Sequence, residues 1–311
     1  MKQKYAIVID LGSSNVRVAL VSRNGKILQK VSEPTNREGK SGTAVTKQII
    51  RLARSVSDNE NSNSLAGISI ASMGPLDHIK GRAENAPNVP YPYIPLVRPM
   101  EKAFGRSVLL FKDTHAGVLG EKYFGDGKRF DNIVYITISS GIGGGAIIDG
   151  RLLLGKSKNA SEIGHLSVDT KYQIPCTCGK GIGHWEGIAS GMNIPRFLKI
   201  WAEKEKKTIP QVQEAKAVFE EAKRGNTTIL EFLEELSKFN AHAISDIIVS
   251  YDPELITIGG SVALHNKNVI IQGIKKYVDN YLKVPKIQIT RLGEDIGLLG
   301  AAAAVFQKEK G

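Results

Sequence analysis

The residues best suited to chemistry in this chain lie close together, between positions 155 and 186. Both cysteines of the protein and two of its six histidines fall within a stretch of twenty residues there. These four side chains are His165, Cys176, Cys178 and His184. Two thiolates and two imidazoles match the four-coordinate donor set of a closed tetrahedral Zn²⁺ site. The spacing therefore predicts a structural zinc site. The alternative is that the cysteines are small buried apolar residues and that His184 is a surface residue.

Two glutamates flank these ligands and are not needed by the metal. Glu162 lies three residues before His165, and Glu186 lies two residues after His184. Carboxylates accept hydrogen bonds from hydroxyl groups, and a loop fixed by a metal would hold them in place. The stretch therefore indicates a binding site for a ligand with hydroxyl groups.

Three turns rich in glycine and serine come directly after apolar runs that predict buried strands. Their sequences are DLGSSN at 10–15, SSGIGGG at 139–145 and IGGS at 258–261. Such turns allow backbone N–H groups to approach phosphate oxygens closely, and Asp10 could hold a Mg²⁺-bound water near them. The alternative is a set of ordinary hairpins whose glycines supply positive φ. The occurrence of three such turns favours a phosphate site.

Asp113 is the one carboxylate outside these stretches that the pattern singles out. It follows the apolar run VLLF at 108–111, which predicts a strand, and it precedes a predicted helix at 114–124. A carboxylate at the end of a strand can accept the proton of a substrate hydroxyl. The alternative role is that of a helix N-cap, which is common for Asp.

The elements that must position these residues form two similar halves. A strand, a glycine–serine turn and a second strand occur near the N-terminus and again from residue 132, which predicts two copies of one mixed sheet. Asn24-Gly25 and Asp149-Gly150 are typical of hairpin turns. Apolar spacing predicts helices at 43–57, 114–124, 187–204, 210–224, 228–250, 267–282 and 295–306.

Composition limits the class of protein. The chain has 311 residues, of which 41% are hydrophobic and 23% charged, and this suits two ordinary globular domains. No apolar run approaches the roughly 18 residues of a membrane span, and the N-terminus lacks the pattern of a signal peptide. Two cysteines at this spacing are no disulfide framework, so we expect a reducing, cytoplasmic location.

The net charge is +11. The basic residues are scattered, which favours a lysine-rich surface over a nucleic-acid interface.

Taken together, these motifs resemble the ROK family of sugar kinases and repressors, from Asp10 to the C-terminal helix. DLGSSNVRVAL and SSGIGGGAIIDG are similar to the two phosphate motifs, and YDPELITIGGSV is similar to the adenosine motif. ASMGPLDHIKGRAENAPNVP resembles the sugar-side stretch, and GEDIGLLGAAAAVF resembles the closing helix. The most specific piece is Glu162-Ile-Gly-His165 followed by Cys-x-Cys-Gly and Glu186.

The resemblance implies an α/β fold of two actin-like, ribonuclease H-like domains. Each would contain a mixed β-sheet flanked by helices, with a cleft for ATP and sugar between them. The smaller domain would span residues 1–115 and be joined by the C-terminal helix at 295–310. The larger domain would span residues 116–294. Homo-oligomers, dimers or tetramers, are also expected from the resemblance.

The resemblance also implies roles for individual residues. Asp113 would be the general base for the sugar 6-hydroxyl, and one ring nitrogen of His165 would bind zinc while the other faces the sugar. The sugar-binding residues would be Gly74, Asn88, Lys112, Asp113, Glu162, His165 and Glu186. The ATP-binding residues would be Asp10, Gly12, Ser13, Ser14, Asn15, Ser140, Gly141, Gly143, Gly259 and Gly260. The zinc ligands would be His165, Cys176, Cys178 and His184. ATP with Mg²⁺ and a structural Zn²⁺ are the implied cofactors.

Three departures from the family pattern matter. The zinc loop CTCGKGIGHWE is one residue longer than usual, and His184 stands where the last cysteine is expected. Lys112 stands where an asparagine that helps bind the sugar is usual, and lysine can donate a hydrogen bond but cannot accept one. Ser13-Ser14 replaces Gly-Thr in the first phosphate motif.

The expected activity is ATP-dependent phosphorylation of the 6-hydroxyl of a hexose or an N-acylhexosamine. Glucose, N-acetylmannosamine and N-acetylglucosamine are the candidate sugars. One alternative is a catalytically weak sugar sensor, for which Lys112 is the supporting feature. A second is a nucleic-acid-binding regulator, although the chain reaches Asp10 without the DNA-binding segment of the repressors. No nucleic acid or membrane partner is expected.

Overall fold

The computed structural model describes residues 4–57, 64–86 and 89–308. The chain forms two compact units. The first contains residues 1–129, 152–160 and 295–311, and the second contains residues 130–151 and 161–294. Residues 116–129 and 152–160, which the sequence analysis assigned to the larger domain, thus group with the first unit. Among the described residues, no helix combines the length and apolar character needed to cross a membrane.

The first unit is built on a five-stranded sheet. The described strands of the unit are β1 (Tyr5–Leu11), β2 (Asn15–Ser22), β3 (Ile27–Pro34), β4 (Leu65–Ser72), β5 (Leu76–Asp77), β6 (Arg82–Glu84), β7 (Tyr93–Pro95) and β8 (Val108–Lys112), of which β5, β6 and β7 form a separate small sheet. The large sheet has the order β3-β2-β1-β4-β8, with β1 antiparallel to β2 and parallel to β4. Every residue of β1 is buried, as expected for a central strand covered on both faces.

Four helices belong to this unit: α1 (Thr43–Ser55), α2 (Val97–Phe104), α3 (Asp113–Tyr123) and α10 (Ile296–Lys308). The small residues of α10 allow its backbone to contact that of α3. A Cβ at Gly300 would lie 1.6 Å from the carbonyl oxygen of Ala116, so no larger residue fits there. This contact brings the C-terminal helix back to the first unit.

The second unit repeats the same sheet. Its strands are β9 (Ile133–Ile138), β10 (Ile142–Ile148), β11 (Arg151–Leu152), β12 (Leu255–Gly259) and β13 (Lys286–Ile289). They lie in the order β11-β10-β9-β12-β13, with β9 antiparallel to β10 and parallel to β12. This is the order of directions found in the first sheet, so the predicted duplication is confirmed.

The helices of the second unit differ in part from the prediction. They are α4 (Trp185–Ala189), α5 (Ile194–Glu205), α6 (Ala215–Lys223), α7 (Thr227–Tyr251), α8 (Ser261–His265) and α9 (Lys267–Tyr277). The single helix predicted at 187–204 is wrong, because the chain leaves the helix after Ala189 and restarts at Ile194. The helix predicted from residue 210 begins only at Ala215.

Candidate functional site

The predicted residues of the first unit lie along one edge of its sheet. Parallel strands β1, β4 and β8 end in register, with Leu11 opposite Ser72 and Ser72 opposite Lys112. The turn after β1, Gly74 after β4 and Asp113 after β8 therefore follow neighbouring strand ends. In open α/β sheets, the carboxyl ends of the strands are where ligands bind. Asn88 lies outside the described residues.

Asp10 is held at this edge by an arginine that the sequence analysis missed. It is 7% exposed, and its carboxylate accepts a hydrogen bond from the guanidinium of Arg17 directly opposite on β2. Burial raises the pKa of Asp10, and the opposing effect of Arg17 does not cancel that rise. A Cβ at Gly297 would lie 2.8 Å from the carboxylate, so α10 needs a glycine there. A sequence signal existed, because the hairpin register pairs positions 10 and 17.

Asp113 and Lys112 form the junction between β8 and α3. Asp113 is the first residue of α3, and its Oδ1 accepts a hydrogen bond from the N–H of Thr114 at 2.7 Å. The N-cap position is Lys112, whose side chain makes no capping bond. Lys112 is only 3% exposed, and its Nζ donates to the carbonyl of Ala160 at 3.4 Å. The stem of Lys112 lies 3.8 Å from where a Cβ of Gly74 would stand.

The predicted glycines of the second unit lie at the matching edge of its sheet. Ser140 and Gly141 follow β9, and Gly143 lies at the start of β10. Gly259 ends the parallel neighbour β12, and Gly260 follows it. Gly260 has a φ of 84°, and a Cβ there would lie 2.5 Å from the carbonyl oxygen of Ile138. The strand end thus requires glycine at this position for two separate reasons.

The segment Glu162–His165 packs directly on β10. A Cβ at Gly164 would lie 2.1 Å from the carbonyl oxygen of Ile142, and the side chain of Ile163 fills the space left at Gly144. These contacts leave no room for a side chain at Gly164 or Gly144, which explains the glycine of the Glu-Ile-Gly-His pattern and one glycine of β10. Glu162 and His165 remain exposed to solvent.

Glu186 links α4 to the same strand. Its Oε2 accepts a hydrogen bond from the N–H of Ile142 at 2.9 Å, and the same oxygen lies 2.7 Å from where a Cβ of Gly141 would stand. Glu186 is therefore fixed by the glycine turn as well as by its own helix.

The four predicted metal ligands come together. One donor atom from each of His165, Cys176, Cys178 and His184 lies within 4.8 Å of the others. The Cys178 sulfur and His184 Nδ1 are 3.6 Å apart. Two such ligands on one tetrahedral Zn²⁺ lie about 3.5 Å apart, since Zn–S is ~2.3 Å and Zn–N is ~2.0 Å. The donors therefore fit zinc. Burial raises the pKa of Cys176 and lowers that of His184.

A charged network ties the loop before Cys176 to helix α7. Glu235 accepts hydrogen bonds from Lys171, Lys238 and Tyr172. Burial alone would raise the pKa of Glu235, but these bonds outweigh it and lower the pKa to about 2. Burial, together with the neighbouring carboxylate, raises the pKa of Tyr172 to about 12. The loop is thus anchored by ionised groups.

Comparisons with known proteins agree with this geometry. The family model described as the ROK family matches residues 6–308. A glucokinase of Pyrobaculum calidifontis is 34% identical over 301 residues, with 96% of this chain and 94% of that protein covered. An N-acetylmannosamine kinase of Haemophilus influenzae is 28% identical, with 95% and 93% covered. The ROK hexokinase structure from Thermus thermophilus superposes with a TM-score of 0.79 at 25% identity, covering 98% of this chain and 99% of that chain. The predicted actin-like α/β fold is therefore confirmed.

Proposed function

Because this chain belongs to the ROK family, we propose that it transfers the γ-phosphoryl group of ATP to the 6-hydroxyl of a hexose. The class of enzyme, a sugar kinase, follows from its curated relatives. Glucose is the first candidate substrate because the glucokinase relative is 34% identical, against 28% for the N-acetylmannosamine kinase. An N-acylhexosamine is the second candidate.

The observation that carries the proposal is that Asp113 lies at the same sheet edge as the turn assigned to the phosphates. Asp113 follows β8, and Asp10 lies near the end of β1, at the same edge of one sheet. In the proposed reaction, the Asp113 carboxylate takes the proton of the sugar hydroxyl as that oxygen bonds to the γ-phosphorus. The bond from the γ-phosphorus to the bridging oxygen breaks, and ADP leaves. Phosphoryl transfer depends mainly on such positioning and on charge neutralisation.

The turns assigned to the phosphates are residues 12–15 in the first unit and 139–143 in the second, with Gly259 and Gly260 assigned to the adenosine side. Asp10 offers a carboxylate oxygen, the kind of ligand that Mg²⁺ prefers. It would hold the ion through a water, and the bound ion would neutralise charge on the phosphates.

The second unit supplies the groups proposed to bind sugar hydroxyls, namely Glu162, His165 and Glu186. A structural Zn²⁺ on the four cysteine and histidine ligands would fix the loop that carries them. His165 would bind the metal through one ring nitrogen, and its other ring nitrogen would face the sugar.

A sugar sensor with weak turnover is the second candidate function, and Lys112 is the observation that favours it. In this chain the Lys112 ammonium donates to the carbonyl of Ala160, where an asparagine would both donate and accept. A sugar hydroxyl that needs an acceptor at this position would bind less well.

The test is to follow ADP release from Mg-ATP with glucose, mannose, fructose, N-acetylglucosamine and N-acetylmannosamine. We expect one sugar to exceed the others clearly. Asp113→Asn should lower kcat by roughly 10²–10⁴-fold, the usual contribution of a general base, while sugar binding changes little. Asp149→Asn is the matched control, because Asp149 is an exposed hairpin residue and Asn tolerates its φ of 50°. Sugar binding without turnover in the unmodified protein would instead support the sensor.

A further inference from the structure

We propose that Thr35 and Arg37 are positioning residues for the first phosphate turn, defined as residues 12–15. They hold the carbonyl groups of the turn to one side and leave its N–H groups for the phosphates of the nucleotide. This inference rests on the proposed function, because it concerns how the ATP site of that function is built. Neither residue belongs to the phosphate motif itself.

Three successive carbonyl groups of the turn are bound by this segment. The hydroxyl of Thr35 donates to the carbonyl of Gly12 at 2.7 Å, and its backbone N–H donates to the carbonyl of Ser14 at 2.9 Å. Between them, the guanidinium of Arg37 donates to the carbonyl of Ser13 at 3.1 Å. Two residues that follow β3 therefore determine which way three peptide groups point.

Unlike its carbonyl groups, two N–H groups of the turn are not hydrogen-bonded within the described residues. In residues 4–57, 64–86 and 89–308, the N–H groups of Ser13 and Ser14 donate to no protein acceptor, and both residues are at least partly exposed. Successive N–H groups with this freedom form the concave donor surface that binds anions in proteins. Holding the carbonyls away also removes their negative ends from the path of a phosphate.

The segment that binds the turn, residues 34–37, is itself held by hydrogen bonds to α1. Thr35 is 4% exposed, and the N–H of Asn36 donates to Oε1 of Gln48 at 3.0 Å. Gln48 is 8% exposed on α1, and its Nε2 donates to the carbonyl of Pro34 at 2.8 Å. A chain of hydrogen bonds thus runs from α1 through residues 34–36 to the phosphate turn. Thr35 is the buried link in this chain, and Arg37 is the exposed one.

The decisive variant is Thr35→Val, which keeps the shape of the side chain and removes the hydroxyl. We expect the KM for Mg-ATP to rise about tenfold, since a carbonyl that loses its partner costs binding of roughly that size. The KM for the sugar should stay within about twofold. Thr35→Ser restores the hydroxyl and should recover most of the affinity for ATP. Thr43→Val is the matched control, because Thr43 is exposed and its hydroxyl forms a hydrogen bond with the hydroxyl of Ser41 at the surface.

Arg37→Met keeps the inference falsifiable if Thr35→Val does not fold, because Arg37 is exposed. We expect the KM for Mg-ATP to rise about threefold. Lys47→Met is its control, since Lys47 is an exposed cation that lines the same 830 Å³ groove with Ser14 and Arg37. An equal effect of the two changes would mean that Arg37 acts only through its charge, and this would overturn its positioning role.

Hydrogen exchange supplies a readout that does not need activity. The N–H of Gly12 donates to the carbonyl of Asn15 at 3.0 Å, so its protection reports the shape of the turn. We expect a peptide covering residues 11–16 to exchange faster in Thr35→Val than in Thr43→Val, without any nucleotide. If Thr35→Val exchanged faster but the unmodified protein phosphorylated no sugar, the proposed function would be wrong and the positioning role would still hold. Unchanged exchange together with an unchanged KM for ATP would overturn the inference.

Discussion

The two turns proposed to bind phosphate follow equivalent strands in sheets of the same topology, yet they are held in different ways. In the first turn, residues 12–15, carbonyl groups are bound mainly by the side chains of Thr35 and Arg37. In the second turn, residues 139–143, the carbonyl of Ser139 accepts a hydrogen bond from the N–H of Gly191 at 2.7 Å. The carbonyl of Ser140 accepts from the N–H of Met192 at 3.3 Å. The carbonyl groups of the second turn are thus held by backbone N–H groups, and those of the first mainly by side chains.

This difference shows that two sheets of the same topology can fix equivalent turns by different kinds of hydrogen bond. A turn held by side chains depends on which residues stand at two distant positions. A turn held by backbone depends on the path of a segment, here 190–193, and so on whatever fixes that path. The four residues proposed to bind zinc precede this segment, since α4 begins directly after His184. Among the described residues, no comparable group of potential metal ligands lies beside the first turn.

Loss of the metal should therefore give the largest effect, and it should separate the two turns. We expect His184→Ala, or removal of the metal from the whole protein by a chelator, to lower the free energy of unfolding by at least about 3 kcal/mol. Hydrogen exchange should rise in peptides around residues 139–143 and stay unchanged around residues 11–16. Metal analysis should find one zinc per chain before treatment.

His242→Ala is the control for this change, because His242 is an exposed histidine on α7. It should leave metal content and stability unaltered. Equal exchange increases in both turns after chelation would contradict the idea that the metal supports only the second.

Gly191→Ala should have the next largest effect. A Cβ at this position would lie 2.8 Å from the carbonyl oxygen of Ser139 and 3.1 Å from the side chain of Val262. The backbone that holds the second turn must move, which we expect to cost about 1–3 kcal/mol of stability and to raise the KM for ATP. Urea unfolding and steady-state kinetics measure the two effects.

Met192→Ala is the contrasting change at the neighbouring position. The side chain of Met192 is 53% exposed, and its backbone N–H is retained in the variant. Stability should therefore change by less than about 0.5 kcal/mol, with the KM for ATP unaltered. A rise in the KM for ATP as large as that expected for Thr35→Val would mean that side chains matter equally at both turns.

The sequence predicted those features of the two regions that a short run of neighbouring residues indicates. Glycine and serine residues after apolar runs predicted the positions of both turns. The rarity of cysteine and histidine indicated that Cys176, Cys178 and the two histidines lie together. The duplicated sheet followed from the repeated strand–turn–strand pattern. Strands of two or three residues, such as β5 and β6, were missed because they are too short to show a periodicity.

The residues that bind the carbonyl groups of the turns could not be predicted from the sequence in this way. Thr35 acts on a carbonyl more than twenty positions away, and nothing in the residues around it indicates that contact. The break at 190–193 arises because Gly191 packs on Ser139, a tertiary contact that overrides a good helical pattern. Lys112 was recognised as unusual from sequence, but its bond to the Ala160 carbonyl required the structure.

The last effect concerns charge, and its dependence on pH distinguishes the two regions. Glu235 holds the loop before Cys176 through Lys171 and Tyr172, and its pKa is lowered to about 2 from an unfolded value of about 4.3. A lowered pKa stabilises the fold above the unfolded value, and this stability is lost as the pH falls from about 5 towards 2. We expect Glu235→Gln to cost about 1–2 kcal/mol at pH 7, allowing for solvent screening, and progressively less below pH 5.

The control for Glu235→Gln lies on the same helix. Glu231 is 52% exposed and pairs with Lys207 at the surface, so Glu231→Gln should change stability by less than about 0.5 kcal/mol at any pH. Thr35→Val completes the contrast. It removes a hydrogen bond between neutral groups, so whatever stability it costs at pH 7 should persist at pH 3. If the cost of Glu235→Gln were also the same at pH 3 and pH 7, the carboxylate would not act through its charge. The loop would then be held, like the first turn, by neutral contacts.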